Sequence, residues 1–349
     1  MTFDSRNDKF YAIQEDNEGS LLERGDAVVE IDIKHKKKTL FKSSGKNSGI
    51  HFSDIVYDDI HKKLFLSGAF RKKIDSESII EEDSVYCINI LTKEMIRLSL
   101  YSDIEEGKEG DVGEVSVLPK VNKVYVNSVY AEGGRKVLYI VNYQDGLLVK
   151  VREIPIPDSP RALEADKEKN ILYVLGHIEM NDELNSCVYV IDGKTDSIRK
   201  TILIGEEIGG TSPTEKNLIS LDKKNQVLYA IINHKLYSVN LKDDSVKCLL
   251  EDSNYYKVIA DSSTGLVFVP TLVQTKSDNP YQFSISIICN GKIHRELSVP
   301  SFATNIYKMV LDPKNQILCL FTVDHSGKEV RQDIILYSIG KLDDCQNNW

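Results

Sequence analysis

The chain has 349 residues, with 44 Lys and Arg against 53 Asp and Glu, a net charge of −9 at pH 7, and 41% hydrophobic residues. The apolar content supplies a sizeable core, and the acidic balance excludes nonspecific binding to nucleic acid or to an anionic membrane surface. No run approaches the roughly 18 apolar residues that a membrane-crossing helix needs.

The chain opens with MTFDSRNDKFYAI, and no basic segment followed by an apolar one precedes the first strand pattern. That reading places the protein in the cytoplasm; a signal removed ahead of residue 1 would place it outside the cytoplasm instead. Short runs rich in Val, Ile and Tyr, bounded by turn residues, then follow one another along the sequence. An Asp anchors the turn between the first two strands of each unit, and an aromatic residue or Cys stands seven places later. The pairs are Asp4 and Tyr11, Asp58 and Phe65, Asp166 and Tyr173, Asp222 and Tyr229, Asp261 and Phe268, and Asp312 and Cys319. The third copy departs, with Pro119 in place of the Asp and Tyr125 one position early.

The unit is plainest at Asn217–Leu250. Strand a covers 217–221 and strand b, VLYAII, covers 227–232. Strand c, KLYSVN, covers 235–240, and strand d covers 246–250. A continuous apolar strand b suits burial on both faces, and the alternation in strand c suits a half-buried position. Anchors recur about every 39 to 61 residues, a spacing that belongs to propellers and other repeat arrays. A helical solenoid is excluded because no unit carries a long apolar pattern of helical period. The expectation is an all-β, seven-bladed β-propeller with four antiparallel strands per blade, forming one domain over 1–349. The blades fall near 2–44, 51–101, 112–156, 160–204, 215–250, 255–299 and 303–349, with 343–349 as the last strand d.

The loops between strands b and c read as long in six blades: 14–26, 67–83, 127–135, 176–186, 271–282 and 323–332. The d–a loops 43–53, 102–111 and 205–213 add to the same face. Loops on a rigid scaffold are where binding resides. The acidic residues Glu81, Glu82, Asp83, Asp103, Glu105, Glu106, Asp182 and Glu183, together with His325, mark that face as the surface for a partner, basic in character. A solvated charged surface is the plain alternative. A divalent cation under oxygen ligands is a further reading, although 103–111 lacks the alternating ligands of a calcium loop.

His177, His234 and His325 all follow strand b in their blades. Imidazoles on one face suggest a metal or a general base. Only His177 and His234, with Glu179, come from neighbouring blades and can share one site. Surface or capping histidines are the competing reading. His61 and His51 read as turn or strand-edge residues. Arg24-Gly25-Asp26 spells an integrin-type tripeptide, which recurs often by chance. The six cysteines fall singly on separate elements, as small buried residues do, so no disulfide framework is expected; Cys289 and Cys319 are the one pair placed to approach.

The pattern LDKKNQVLYAI…LYSVN, with EADKEKNILYVLG…VYVIDGKTDSI at 164–198, resembles the seven-bladed propellers of the YVTN/NHL-like group. The resemblance covers nearly the whole chain and implies the fold. Members of the group include surface-layer proteins, scaffolds, lactonases and lyases, so it implies no single activity. No catalytic position of an enzyme member is matched. The sequence therefore reads as a non-enzymatic binding propeller for a protein, peptide or small polar ligand. A lactonase-like hydrolase or lyase, with its site at the channel mouth on the same face, is the alternative.

Overall fold

The computed structural model describes residues 1–4, 6–14, 26–32, 37–42, 48–73, 79–100, 111–129, 137–144, 147–156, 160–205, 217–251, 257–274, 281–300, 305–324 and 331–339. These form seven antiparallel sheets, and the fold is a seven-bladed β-propeller. The first sheet orders β1 (Thr2–Asp4), β2 (Lys9–Gln14), β3 (Ala27–Asp32) and β4 (Lys37–Lys42). The second orders β5 (Ser48–Asp58), β6 (Lys63–Lys73), β7 (Ile79–Asn89) and β8 (Met95–Ser99). The third holds β9 (Asp111–Leu118), β10 (Lys123–Val129), β11 (Val137–Gln144) and β12 (Leu147–Pro155). The fourth holds β13 (Ala162–Asp166), β14 (Ile171–Met180), β15 (Glu183–Asp192) and β16 (Ser197–Leu203). The fifth holds β17 (Ile219–Asp222), β18 (Val227–Ile232), β19 (Lys235–Asn240) and β20 (Val246–Leu250). The sixth holds β21 (Ile259–Asp261), β22 (Leu266–Gln274), β23 (Tyr281–Cys289) and β24 (Lys292–Ser298). The seventh shows three strands among the described residues, β25 (Asn305–Asp312), β26 (Ile317–Asp324) and β27 (Arg331–Ser338). The segment 343–349, expected as its fourth strand, lies outside the described residues.

The repeat grammar has a local cause. Each anchor Asp pairs across its turn with the residue five places on: Asp4 with Lys9, Asp58 with Lys63, Asp222 with Val227. The residue at +7 therefore lies opposite the one at −2, inside strand b, where both faces are covered. Tyr11, Phe65, Tyr125, Tyr173, Tyr229 and Phe268 are all buried there. The Asp side chain caps its own turn. Asp222 Oδ1 accepts Asn225 N–H at 3.1 Å, and Asp312 Oδ1 accepts the N–H groups of Lys314 and Asn315 at 3.1 and 3.2 Å. The residue at +4 closes every such turn in the left-handed region, with φ from 54° at Asp8 to 79° at Gly265.

Blade 3 differs from its expected pattern. Leu118, not Pro119, pairs with Lys123 and so occupies the anchor position, and Tyr125 falls seven places after it. The turn is a 3-10 turn over Pro119–Val121, closed by Asn122 at φ 54°. A leucine cannot cap a turn, so backbone bonding replaces side-chain capping.

The chain divides into two compact units, residues 1–176 with 189–200, and residues 177–188 with 201–349. In the first, one apolar cluster joins blades 1 and 2 through Tyr11, Phe52, Tyr57 and Tyr86, and another joins blades 2 and 3 through Phe65, Cys87, Tyr139 and Tyr143. In the second, Phe268, Ile285, Met309 and Leu320 join blades 6 and 7. The core thus lies between successive sheets, as the buried strand-b face requires. Among the described residues no helix is long and apolar enough to cross a membrane.

Most of the described cysteines stand free on separate strands, with one exception. Cys87, Cys187, Cys248 and Cys319 are free, and Cys289 is disulfide-bonded. Cys319 is free, so it is not the residue bridged to Cys289. Cys345, the sixth cysteine, lies outside the described residues.

Candidate functional site

The loop end of the propeller is built differently from what the sequence suggests. Residues 67–83 read as a loop, yet β6 and β7 run as an eleven-residue hairpin pair from Lys63 opposite Asn89 to Lys73 opposite Ile79. β5 is also eleven residues long and pairs with β6 out to Ser48 opposite Lys72. The equivalent strands of blade 5 have four, six and six residues. Blade 2 therefore projects a three-stranded extension at its loop end. A bulge between Phe52 and Asp54 marks its base. There Gly68 packs so closely that a Cβ would stand 2.3 Å from the His51 carbonyl oxygen. The arm is hidden in the sequence because charged residues occupy successive positions once no neighbouring sheet covers both faces.

The same correction holds elsewhere. β14 and β15 fill most of 176–186 and close on Asn181-Asp182, with φ of 55° and 63°, a two-residue hairpin turn. β22 and β23 take half of 271–282, leaving 275–280 outside the described residues. β26 and β27 likewise reach Asp324 and Arg331.

The acidic residues assigned to this face are not equivalent. Glu81 receives a two-pronged bond from Arg71, Nε to Oε2 and Nη2 to Oε1, both at 3.0 Å. Glu82 receives Arg97 Nη2 at 2.6 Å, and that guanidinium lies 4.1 Å from the Phe70 ring centroid. Asp83 is buried. The bonds of Glu81 and Glu82 stiffen the extension from within. Asp182 and Glu183 stand exposed at the β14–β15 turn. Asp103, Glu105, Glu106 and His325 lie outside the described residues, as do Arg24 and Gly25 of the tripeptide.

The candidate histidines differ in their settings. His177 is buried in β14, Glu179 is exposed, and His234 sits in the β18–β19 turn at φ 61°. No group of three or more His, Cys, Asp or Glu side chains is placed to hold a metal ion among the described residues.

Two groups of ionisable residues escaped the sequence reading. At the loop end, Asp26, Asp54 and Glu114 are buried carboxylates of the first unit. Asp26 accepts Phe52 N–H at 2.7 Å and faces His51 Nδ1 at 3.1 Å. Asp54 and Glu114 each accept a main-chain N–H of the following blade. Both stand four residues before their anchor position, and that shared offset is the one sequence signal that could have found them.

At the turn end, Asp58 Oδ2 accepts Tyr143 Oη–H at 2.5 Å and lies 2.7 Å from His61 Nδ1. The Tyr143 and His61 rings meet edge-on with centroids 5.4 Å apart. Burial acts to raise the Asp58 pKa, but the bonds from Tyr143 and from His61 outweigh it and hold the carboxyl below the usual carboxylate range. Burial, and then the Asp58 carboxylate, push the Tyr143 hydroxyl well above the ordinary tyrosine value. Burial also pushes the nearby Cys87 thiol up to about 11. Asp58 thus joins blade 2 to blade 3, with one face of His61 left at the surface.

These features define a β-propeller whose elaborations lie on blade ends. No family model matches the chain, and no curated protein matches it. Solved structures share the fold. A chain of the crystal structure of the mitotic checkpoint complex aligns with a TM-score of 0.60 and 10% identity, covering 91% of this chain and 82% of that one. A chain of Kuenenia stuttgartiensis hydrazine synthase aligns with a TM-score of 0.54 and 15% identity, covering 78% and 76%. The dihydro-heme d1 dehydrogenase NirN in complex with DHE aligns with a TM-score of 0.57 and 12% identity, covering 99% of this chain and 63% of that one.

Proposed function

We propose that the chain works as a single non-enzymatic propeller domain, a scaffold that holds a protein or peptide at the loop end against the blade 2 extension. The observation that carries this reading is the length of β5, β6 and β7, eleven residues each, against the four to six of the corresponding strands in blade 5. Ile50 and Phe70 at the foot of the extension pack toward blade 1, and internal ion pairs hold the arm beyond them in one shape, which lowers the entropy lost on binding. One structural neighbour is a chain of a protein complex, the mitotic checkpoint complex, which agrees with a scaffold role. The exposed Asp182 and Glu183 and the acidic residues of 103–106 favour a partner with basic groups.

The test replaces residues 70–82 with Asn-Gly between the paired Ala69 and Asp83, a turn that closes a hairpin on its own. Wild-type and shortened proteins are compared by quantitative affinity purification from the native source. A partner lost on shortening, with thermal stability kept, supports the assignment. An unchanged set of partners overturns it.

A further inference from the structure

We infer that Cys289 is bonded to Cys345, and that this disulfide staples blade 7 to blade 6 in a protein that works in an oxidising compartment. The chain has six cysteines. Cys87, Cys187, Cys248 and Cys319 are free, and Cys289 is bonded. Cys345 is the one cysteine of the chain left to hold the other half of that bond. The repeat marks Cys289 independently. At the end of strand c, Asp32, Asn89, Asn142, Asn240 and Ser338 stand opposite Lys9, Lys63, Lys123, Val227 and Ile317. Cys289 takes the same place in blade 6, one position past Ile288, which pairs with Val267. The polar side chain at this place caps the following turn. Asn89 Oδ1 accepts Leu91 N–H at 2.9 Å, Asp192 Oδ1 accepts Lys194 N–H at 2.7 Å, and Asn240 Oδ1 accepts Lys242 N–H at 3.0 Å. Sulfur is a weak acceptor for such a bond. The β23–β24 turn closes instead on Asn290-Gly291, with φ of 51° and 71°, a two-residue hairpin turn. Blade 6 thus carries a sulfur where other blades carry a capping group.

The reach is sufficient. Cys289 is half-buried against the cluster that holds Phe268, Met309 and Leu320, and the buried Ile339 belongs to the same cluster. Ile339 N–H donates to the Gln316 carbonyl at 2.9 Å, which fixes the chain there. Cys345 follows six residues later, and six residues span up to ~20 Å. That length can bring its Cα to the roughly 7 Å or less from the Cys289 Cα that a disulfide needs. The bond closes a loop over 290–344 that contains β24 to β27, so blade 7 cannot leave blade 6 while it stands. Two of the other thiols are poor rivals, because burial pushes Cys87 up to about 11 and Cys319 up to about 12 and leaves little thiolate. The bond forms by exchange with a disulfide oxidant. The two cysteine thiols give up two protons and two electrons, and the oxidant's disulfide becomes two thiols. A reducing cytosol would keep both sulfurs as thiols.

The experiment alkylates free thiols with N-ethylmaleimide while the full chain is extracted from its native source, then maps peptides without reduction. A peptide pair joining 289 to 345 is expected, and it should vanish on reduction. Cys345→Ser should lower the Tm by about 5 °C, as expected for opening a loop of this length in a chain of this size. Reduction of the wild type should lower it equally and should change nothing further in the variant. Cys289→Ser is the second variant, and the double variant should be no less stable than either single one. Alkylation of both residues in the native extract, a link from Cys345 to Cys248, or an unchanged Tm in both Cys345→Ser and the reduced protein overturns the proposal.

Discussion

The carboxylate of Glu114 in β9 accepts the main-chain N–H of Leu163 in β13 at 2.7 Å. Asp54 in β5 does the same for Val115 in β9, at 3.3 Å. In each case the acceptor stands four residues before its anchor position and the donor three before the next. A second tier uses hydroxyls two residues before the anchor: Thr2 Oγ1 accepts Tyr57 N–H at 3.2 Å, and Ser220 Oγ accepts Ala260 N–H at 2.9 Å. In the second unit Asn217 serves two such amides, Val258 through its carbonyl at 2.7 Å and Met309 through its side chain at 3.2 Å. Strand a is an edge strand of its sheet, so its outward amides need partners from outside it. Groups of a preceding blade supply them.

Glu114→Ala leaves the buried Leu163 amide without its acceptor and should destabilise the fold by about 2 kcal/mol. Glu114→Gln keeps an acceptor and should cost less. Urea unfolding of both variants checks this, and equal costs would mean that charge, not hydrogen bonding, is what matters at this position.

The Asp58–Tyr143 bond predicts a pH window. The folded Asp58 pKa is depressed, so its contribution is present above the unfolded value, roughly 3.9, and is lost as pH falls through the folded value. The folded Tyr143 pKa is raised, so its contribution is present below the unfolded value, roughly 10, and is lost as pH rises beyond it. Tyr143→Phe should flatten the alkaline limb of a stability–pH curve and weaken the acid limb. It should cost about 2 kcal/mol at neutral pH, the usual worth of a hydrogen bond to a charged group. A Phe variant with the wild-type alkaline limb would contradict the assignment.

Tyr229→Ala removes a large side chain from a position that is only 2% exposed and should cost roughly 3–5 kcal/mol. Chemical denaturation measures it directly, and a loss under 1 kcal/mol would show that the blades tolerate a void at the shared strand-b site.

The cysteines predict an alkylation pattern. In native protein the half-exposed Cys248 should label first, while Cys87, buried and with its thiol pushed up to about 11, should stay unmodified. In denaturant without reductant, Cys87, Cys187, Cys248 and Cys319 should all label, and Cys289 only after reduction. Peptide mapping by mass spectrometry reads this out. Labelling of Cys289 before reduction, in protein from its native compartment, would favour the reducing cytoplasm.

Local chemistry made the repeat legible in the sequence. An Asp that caps its own turn acts over three residues, and the hairpin register then fixes the buried aromatic position at +7, so both survive in a linear pattern. The fifth blade shows this, with strands b, c and d at 227–232, 235–240 and 246–250 as read from the residues. Relations between blades left no such trace. Tyr143 and His61 are 82 positions apart, and Glu114 and Leu163 are 49 apart, so only folding brings them together. The hairpin of blade 2 read as a loop because its charged residues answer to each other, Arg71 to Glu81 and Arg97 to Glu82, and so break the apolar alternation of a strand. The sequence by itself therefore determined the fold and the buried positions, which obey short-range register. Which carboxylates are buried acceptors, which acids are neutralised, and which blade ends project were decided only by the packing of one sheet on the next.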